Sequence, residues 1–171
     1  MGIRVLLGEI GNTEFVFELT DLVFEPRYED DDDYMMACCN VEVRIKNRNI
    51  DYYRNAEMLA MCDLLYLRDK LYDLLNDKIE KEEMISFMEP DLDFHLYPKF
   101  DKRNDPNIIV FNEEYAIRDI YVDFIVNLTD EDGVYTGERI IIWFDRDLIV
   151  LIHDYLNKLL SQENAGGKKL T

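Results

Sequence analysis

The segment Asp91-Leu92-Asp93-Phe94-His95-Leu96-Tyr97 is the sequence's best case for chemistry. Strand alternation puts Asp91, Asp93, His95 and Tyr97 on one face, with Leu92, Phe94 and Leu96 on the other. Two carboxylates and an imidazole on one face can do acid–base work or hold a metal ion. The same pattern describes the solvated face of a half-buried strand, which is polar by default, and this plainer reading is preferred. His153 follows Ile152 on a helix, a lone histidine beside an apolar stripe, and reads as satisfied or solvated. Other catalytic signatures do not occur. There is no GxGxxG and no GxxxxGK[ST] to cradle phosphates, and neither Ser86 nor Ser161 sits in a nucleophile elbow. No catalytic residue, metal or cofactor is assigned, and the expectation is a protein that is not an enzyme.

Two acidic clusters remain. The first, Glu29, Asp30, Asp31, Asp32 and Asp33, is flanked by Tyr28 and Tyr34. Five consecutive carboxylates repel one another unless cations or a basic surface neutralise them. Such a run can be a solvated loop, or it can steer a basic protein toward the chain, with the tyrosines supplying contact area. The second, Asp130, Glu131 and Asp132, precedes Gly133 in a hairpin loop. It is not an EF-hand: aligning Gly133 with the invariant glycine puts Leu128 and Arg139 at the first and last ligand positions, where carboxylates are required. The expected partner-binding residues are these two clusters with Tyr28 and Tyr34.

The whole chain has the same bias. Its 171 residues carry 37 acidic and 19 basic side chains, a formal net charge of −18. That charge argues against binding nucleic acid or anionic membranes, which need a basic surface. It favours a basic protein partner or serves solubility alone. At 48% apolar and 12% aromatic residues, the composition is that of a globular protein. Cys38, Cys39 and Cys62 form neither a disulfide framework nor a zinc pattern, and read as small buried hydrophobes in a reducing cytoplasm. The N-terminus lacks the apolar core of a signal peptide, and no apolar run reaches the ~18 residues of a membrane span. Cytoplasmic location is therefore expected; oligomeric state is not encoded in any pattern.

The elements that must position these residues follow from periodicity. Phe15, Phe17 and Leu19 alternate with Glu14, Val16 and Glu18, and Val41, Val43 and Ile45 alternate with Glu42, Arg44 and Lys46. A turn at Asn47-Arg48-Asn49 returns the chain as a strand over 50–59, making a hairpin. The period then changes: Leu64, Leu65, Arg68, Leu71, Tyr72 and Leu75 predict an amphipathic helix, with Asp63 as N-cap and an end near Asn76-Asp77. Further strands are expected at 84–88, 92–96, 108–111, 120–126 and 139–144. Asp145 then caps a second helix carrying Leu148, Ile149, Ile152, Leu156, Leu159 and Leu160. Short connections require antiparallel pairing. The expected class is α+β: mainly antiparallel sheet in two strand groups, each followed by one amphipathic helix, as a single domain over 1–162 with a flexible tail over 163–171.

The series Phe24-Glu25-Pro26-Arg27-Tyr28 to Tyr34, the strand Asn40-Val41-Glu42-Val43-Arg44-Ile45, the helix from Asp63, and Ile85-Ser86-Phe87-Met88-Glu89-Pro90-Asp91-Leu92-Asp93-Phe94 together resemble the WapI-type immunity proteins, small partners of bacterial polymorphic toxins. Phe-x-Glu-Pro-Asp-Leu-x-Phe is the most specific part, and the likeness covers residues 14–160. One departure is Cys38-Cys39, where the family pattern has an Asn-Trp pair. The resemblance implies a non-enzymatic cytoplasmic protein that binds and blocks a toxin domain, often a nuclease. A large negative field suits that role, because nuclease surfaces are basic. Two alternatives remain: an enzyme or metal-binding protein using Asp91, Asp93 and His95, and a housekeeping interaction domain acidic only for solubility.

Overall fold

A computed structural model describes residues 3–7, 13–20, 38–46, 49–87, 89–130 and 132–166. The class is α+β, with antiparallel sheets and two helices. The chain divides into two compact units, Met1–Tyr66 and Leu67–Thr171, with the division falling inside the first helix.

In the first unit, β1 (Ile3–Leu7), β2 (Thr13–Thr20), β3 (Cys38–Lys46) and β4 (Asp51–Ala60) form one sheet in sequence order. The β3–β4 hairpin pairs Ile45 with Tyr52 and Lys46 with Asp51. Val41, Val43 and Ile45 are buried while Arg44 and Lys46 are not, as the two-residue alternation requires.

Helix α1 (Met61–Leu75) follows. Its buried stripe is Met61, Leu64, Leu67, Leu71 and Leu74. This corrects the expected stripe: Leu65 and Leu75 lie on its shoulders and Tyr72 is 47% exposed. Leu67 and Leu74 complete the three- and four-residue steps better than Leu65 and Leu75 do. Asp63 is likewise not the N-cap. It sits in the first turn and its Oδ2 accepts from the Ala60 amide at 2.9 Å, the backward half of a capping box. The helix closes with Lys78 N–H donating to the Asp73 carbonyl (2.9 Å) and Asp77 N–H to Leu74 (3.3 Å), a Schellman motif. Its left-handed position is Asp77, at φ 55°. An L-residue there is strained and glycine is not, so Asp77→Gly is expected to stabilise the protein by about 0.5–1 kcal/mol. Urea denaturation checks this; an unchanged or lower midpoint refutes it.

The second unit's main sheet has the order β10-β9-β6-β5, from β5 (Glu83–Ser86), β6 (Leu92–Tyr97), β9 (Tyr121–Thr129) and β10 (Tyr135–Phe144). A two-stranded sheet joins β7 (Phe100–Asp101) to β8 (Ile117–Arg118). Pro90 turns the chain into β6, and Leu92, Phe94 and Leu96 enter the core with Val122, Phe124, Val126, Ile142 and Phe144. Phe124 lies between Phe94 (ring centroids 4.8 Å apart) and Phe144 (5.5 Å). Helix α2 (Arg146–Gly166) buries Ile149, Ile152, Leu156 and Leu160 and contacts β9 and β10. As expected, Asp145 caps it, Oδ1 accepting from the Leu148 amide at 3.1 Å. β10 is an edge strand, and its register slips between Tyr135 and Arg139, where Gly137 takes φ 82°. That bulge interrupts an otherwise regular ladder.

The expected strand over 108–111 is absent. Those residues lie in the loop from Lys102 to Ala116, with Ile109 76% and Phe111 94% exposed. Strand propensity reflects packing on neighbouring strands, and after the Asp105-Pro106-Asn107 turn no strand among the described residues is there to pair. The loop's base is closed by Lys102 N–H donating to the Ala116 carbonyl at 2.8 Å. Arg103 also reaches from Asp101 (2.6 Å) to Glu113 (3.1 Å). Hydrogen bonds from the Arg103 side chain and amide hold the Asp101 carboxyl at about 2, below its ordinary 3.8. A lowered carboxyl contributes above its ordinary value, and that contribution fades as pH falls from about 3.8 through about 2. An NMR titration is expected to give Asp101 a midpoint of about 2, rising part of the way towards 3.8 in Arg103→Ala, which removes the side chain but keeps the amide. An unmoved midpoint in that variant refutes the pairing.

Candidate functional site

Strand alternation gives the second unit's main sheet a face turned away from its core. Register makes one row across it: Met84 on β5 opposes His95 on β6, His95 opposes Asp123 on β9, and Asp123 opposes Trp143 on β10. The row beside it runs Ser86, Asp93, Ile125, Ile141. On the other side Tyr97 opposes Tyr121. Met84, Ile141 and Trp143 are each more than half exposed, a concentration of apolar surface on a face that strands normally make polar.

The rings are in mutual contact. Tyr97 and Tyr121 stack with centroids 4.1 Å apart and planes 10° off parallel, and Trp143 meets Tyr121 edge-on at 5.8 Å. The Arg118 guanidinium lies over Tyr121, Phe100 and Tyr97 at 5.1, 5.5 and 5.6 Å. Its Nε–H is buried and meets no oxygen acceptor, which ring faces beneath it account for. Burial, with the Asp123 carboxylate beside it, pushes the Tyr97 phenol up to about 12. Burial also raises Tyr121, although Arg118 opposes it. Both phenols stay protonated near neutral pH, so they offer hydrogen-bond donors and ring faces rather than a base.

A cleft of about 720 Å³ opens at the end of this face, walled by Tyr121, Asp123 and Trp143 and by Asp145, Arg146 and Asp147 at the start of α2. Arg118, Asp119 and Ile120 complete it, giving four aspartates against two arginines. Both arginines are engaged. Arg146 grips Asp119 with two hydrogen bonds (2.7 and 3.0 Å), which hold that carboxyl below its ordinary range. Arg118 lies 3.6 Å from Glu82.

The residues singled out for acid–base or metal chemistry do not converge. Asp91 sits in the turn before β6 and is buried, so alternation does not carry it onto the face with Asp93. Asp93 accepts from the Asn127 side chain at 2.9 Å. His95 lies 2.8 Å from the Tyr97 hydroxyl through Nδ1 and 3.8 Å from Glu82 through Nε2. Among the described residues, no three His, Cys, Asp or Glu side chains are grouped to hold a metal ion. His153 is half-buried and bonded to Asn157 at 3.0 Å.

Of the expected partner-binding residues, Tyr28, Glu29, Asp30, Asp31, Asp32, Asp33, Tyr34 and Glu131 lie outside the described residues. Asp130 is exposed but ties its own loop, its Oδ1 accepting from the Asp132 and Val134 amides at 3.0 and 2.9 Å. Asp132 is exposed. The site on the sheet face has no local sequence signature: Tyr121 and Asp123 lie on β9 and Trp143 on β10. Their signal is outward parity on two expected strands, and it becomes a site only with the register. No described helix is long and apolar enough to cross a membrane. No protein-family model matches the chain, and no curated protein matches it.

Proposed function

We propose that this chain is a binding protein without catalytic activity that captures a basic protein on the outward face of β5, β6, β9 and β10, in the manner of the immunity-type proteins its sequence resembles. The observation that carries this reading is the exposed apolar and aromatic face, Met84, Ile141 and Trp143 beside the Tyr97–Tyr121 stack, set next to an acidic cleft. Tryptophan, tyrosine and arginine dominate binding energy at protein interfaces because they offer large, stiff contact areas with a polar handle. The partner's sign follows from charge: the cleft has more aspartates than arginines and the chain carries −18. Attraction between opposite fields speeds encounter and suppresses wrong partners. A toxin domain with a basic substrate surface fits this description, and cytoplasmic residence fits such a role.

The test is co-expression with the C-terminal domain of a large protein encoded next to this chain, followed by gel filtration and an assay of that domain's toxicity. A stable complex that silences the domain, with an association rate falling steeply as salt rises, is expected. No complex, or binding without protection, refutes the proposal.

A further inference from the structure

We infer that the cleft at the end of the sheet face is a receptor for a guanidinium group, filled on docking by one arginine side chain of the partner; this rests on the docking reading above and names the chemistry of its anchor. Asp123, Asp145 and Asp147 all line the cleft, and no Lys or Arg side chain lies within ion-pair distance of any of them among the described residues. The two arginines present are already committed, Arg146 to Asp119 and Arg118 to Glu82 and the ring faces. Asp145 already caps α2 through the Leu148 amide, whereas Asp123 stands beside ring surface with no cationic partner among the described residues, and a carboxylate so placed attracts a cation. Cross-strand register puts Asp123 directly opposite Trp143, so a carboxylate and an indole ring stand side by side, and Tyr121 meets Trp143 at an interplanar angle of 60° to form a corner. Indole is the best of the aromatic partners for a cation. A planar guanidinium can stack on a ring while donating in its own plane to carboxylates; a compact ammonium cannot do both. Arg118 gives the internal precedent, stacked over the neighbouring rings of the same sheet face. The cleft volume of about 720 Å³ leaves ample space for one such side chain.

Trp143 is the chain's one tryptophan, so its fluorescence reports on this cleft alone. The experiment titrates the intact protein with N-acetyl-arginine amide, using N-acetyl-citrulline amide as the neutral look-alike and N-acetyl-lysine amide as the compact cation. The arginine probe is expected to give a saturable change, with the citrulline probe at least ~10-fold weaker and the lysine probe ~3-fold or more weaker. Asp147→Asn, at an exposed position, is expected to weaken the arginine probe ~3-fold. Asp123→Asn, followed by NMR to verify the fold, should weaken it ~10-fold. No saturable change, or an equal response to arginine and citrulline, overturns the receptor, and a lysine response matching arginine overturns its guanidinium character. Because no partner protein enters the measurement, these outcomes leave the docking proposal to its own test.

Discussion

Phe124→Ala is expected to destabilise the protein by about 3–5 kcal/mol, the range for emptying a large aromatic from a packed core. Phe124 is 1% exposed and stands between Phe94 and Phe144, all three among the largest fully buried side chains. Alanine forfeits the transfer energy of the ring, the contacts of both neighbours, and any gain from a cavity that strands on both sides keep from collapsing. Domains of this size hold only about 5–15 kcal/mol in total, so the variant sits near the edge of folding. Urea denaturation followed by Trp143 emission, which reports on the same sheet, should show a much lower midpoint with an unchanged slope. Phe111→Ala is the contrast. With Phe111 94% exposed, that change should stay within about 0.5 kcal/mol of the wild type. Equal losses in the two variants would contradict the assignment of the core.

Trp143→Ala carries the largest expected effect on binding, about 30- to 1000-fold weaker partner affinity, or about 2–4 kcal/mol. Trp143 is 56% exposed, so its removal opens no cavity and urea stability should be nearly unchanged. The lost affinity comes from an aromatic anchor that contacts Tyr121 and, by register, stands beside Asp123. It should be seen mainly as faster dissociation, because packed anchors hold complexes together while charge governs their encounter. Lys158→Ala, an exposed change on α2, is the matched control and should leave affinity unaltered. A Trp143→Ala complex within about 3-fold of the wild type would remove this face from the interface.

What could be read from the sequence was set by local periodicity. The inward sets Leu92/Phe94/Leu96 and Ile120/Val122/Phe124/Val126 follow from two-residue alternation, and all are buried. The β3–β4 hairpin, the Pro90 turn and the Asp145 cap were equally legible, being short-range consequences of residue type. Errors arose where tertiary context decided. The α1 stripe turned by one residue because Leu64 and Leu71 fit two overlapping periodic sets, and only packing chooses between them. Ile108-Ile109-Val110-Phe111 has strand composition but, among the described residues, no neighbour to pair with. The site was hidden for a related reason. Met84, His95, Asp123 and Trp143 come together through three strand pairings spanning some sixty residues, and no single stretch of sequence contains that row. The acidic run around Asp31 was conspicuous because it is contiguous, which is a property of the chain rather than of a surface.

The bulge at Gly137 bears on how such a sheet stays soluble. Arg139-Ile140-Ile141-Ile142-Trp143-Phe144 is strongly β-forming, has a single charge and lies on an edge strand, a composition prone to self-templated fibril growth. The left-handed glycine ends the regular ladder just before this segment. A second copy approaching edge-to-edge therefore finds the straight ladder confined to residues 139–144. The kink thus shortens the edge open to templated pairing, at the end of β10 away from Trp143.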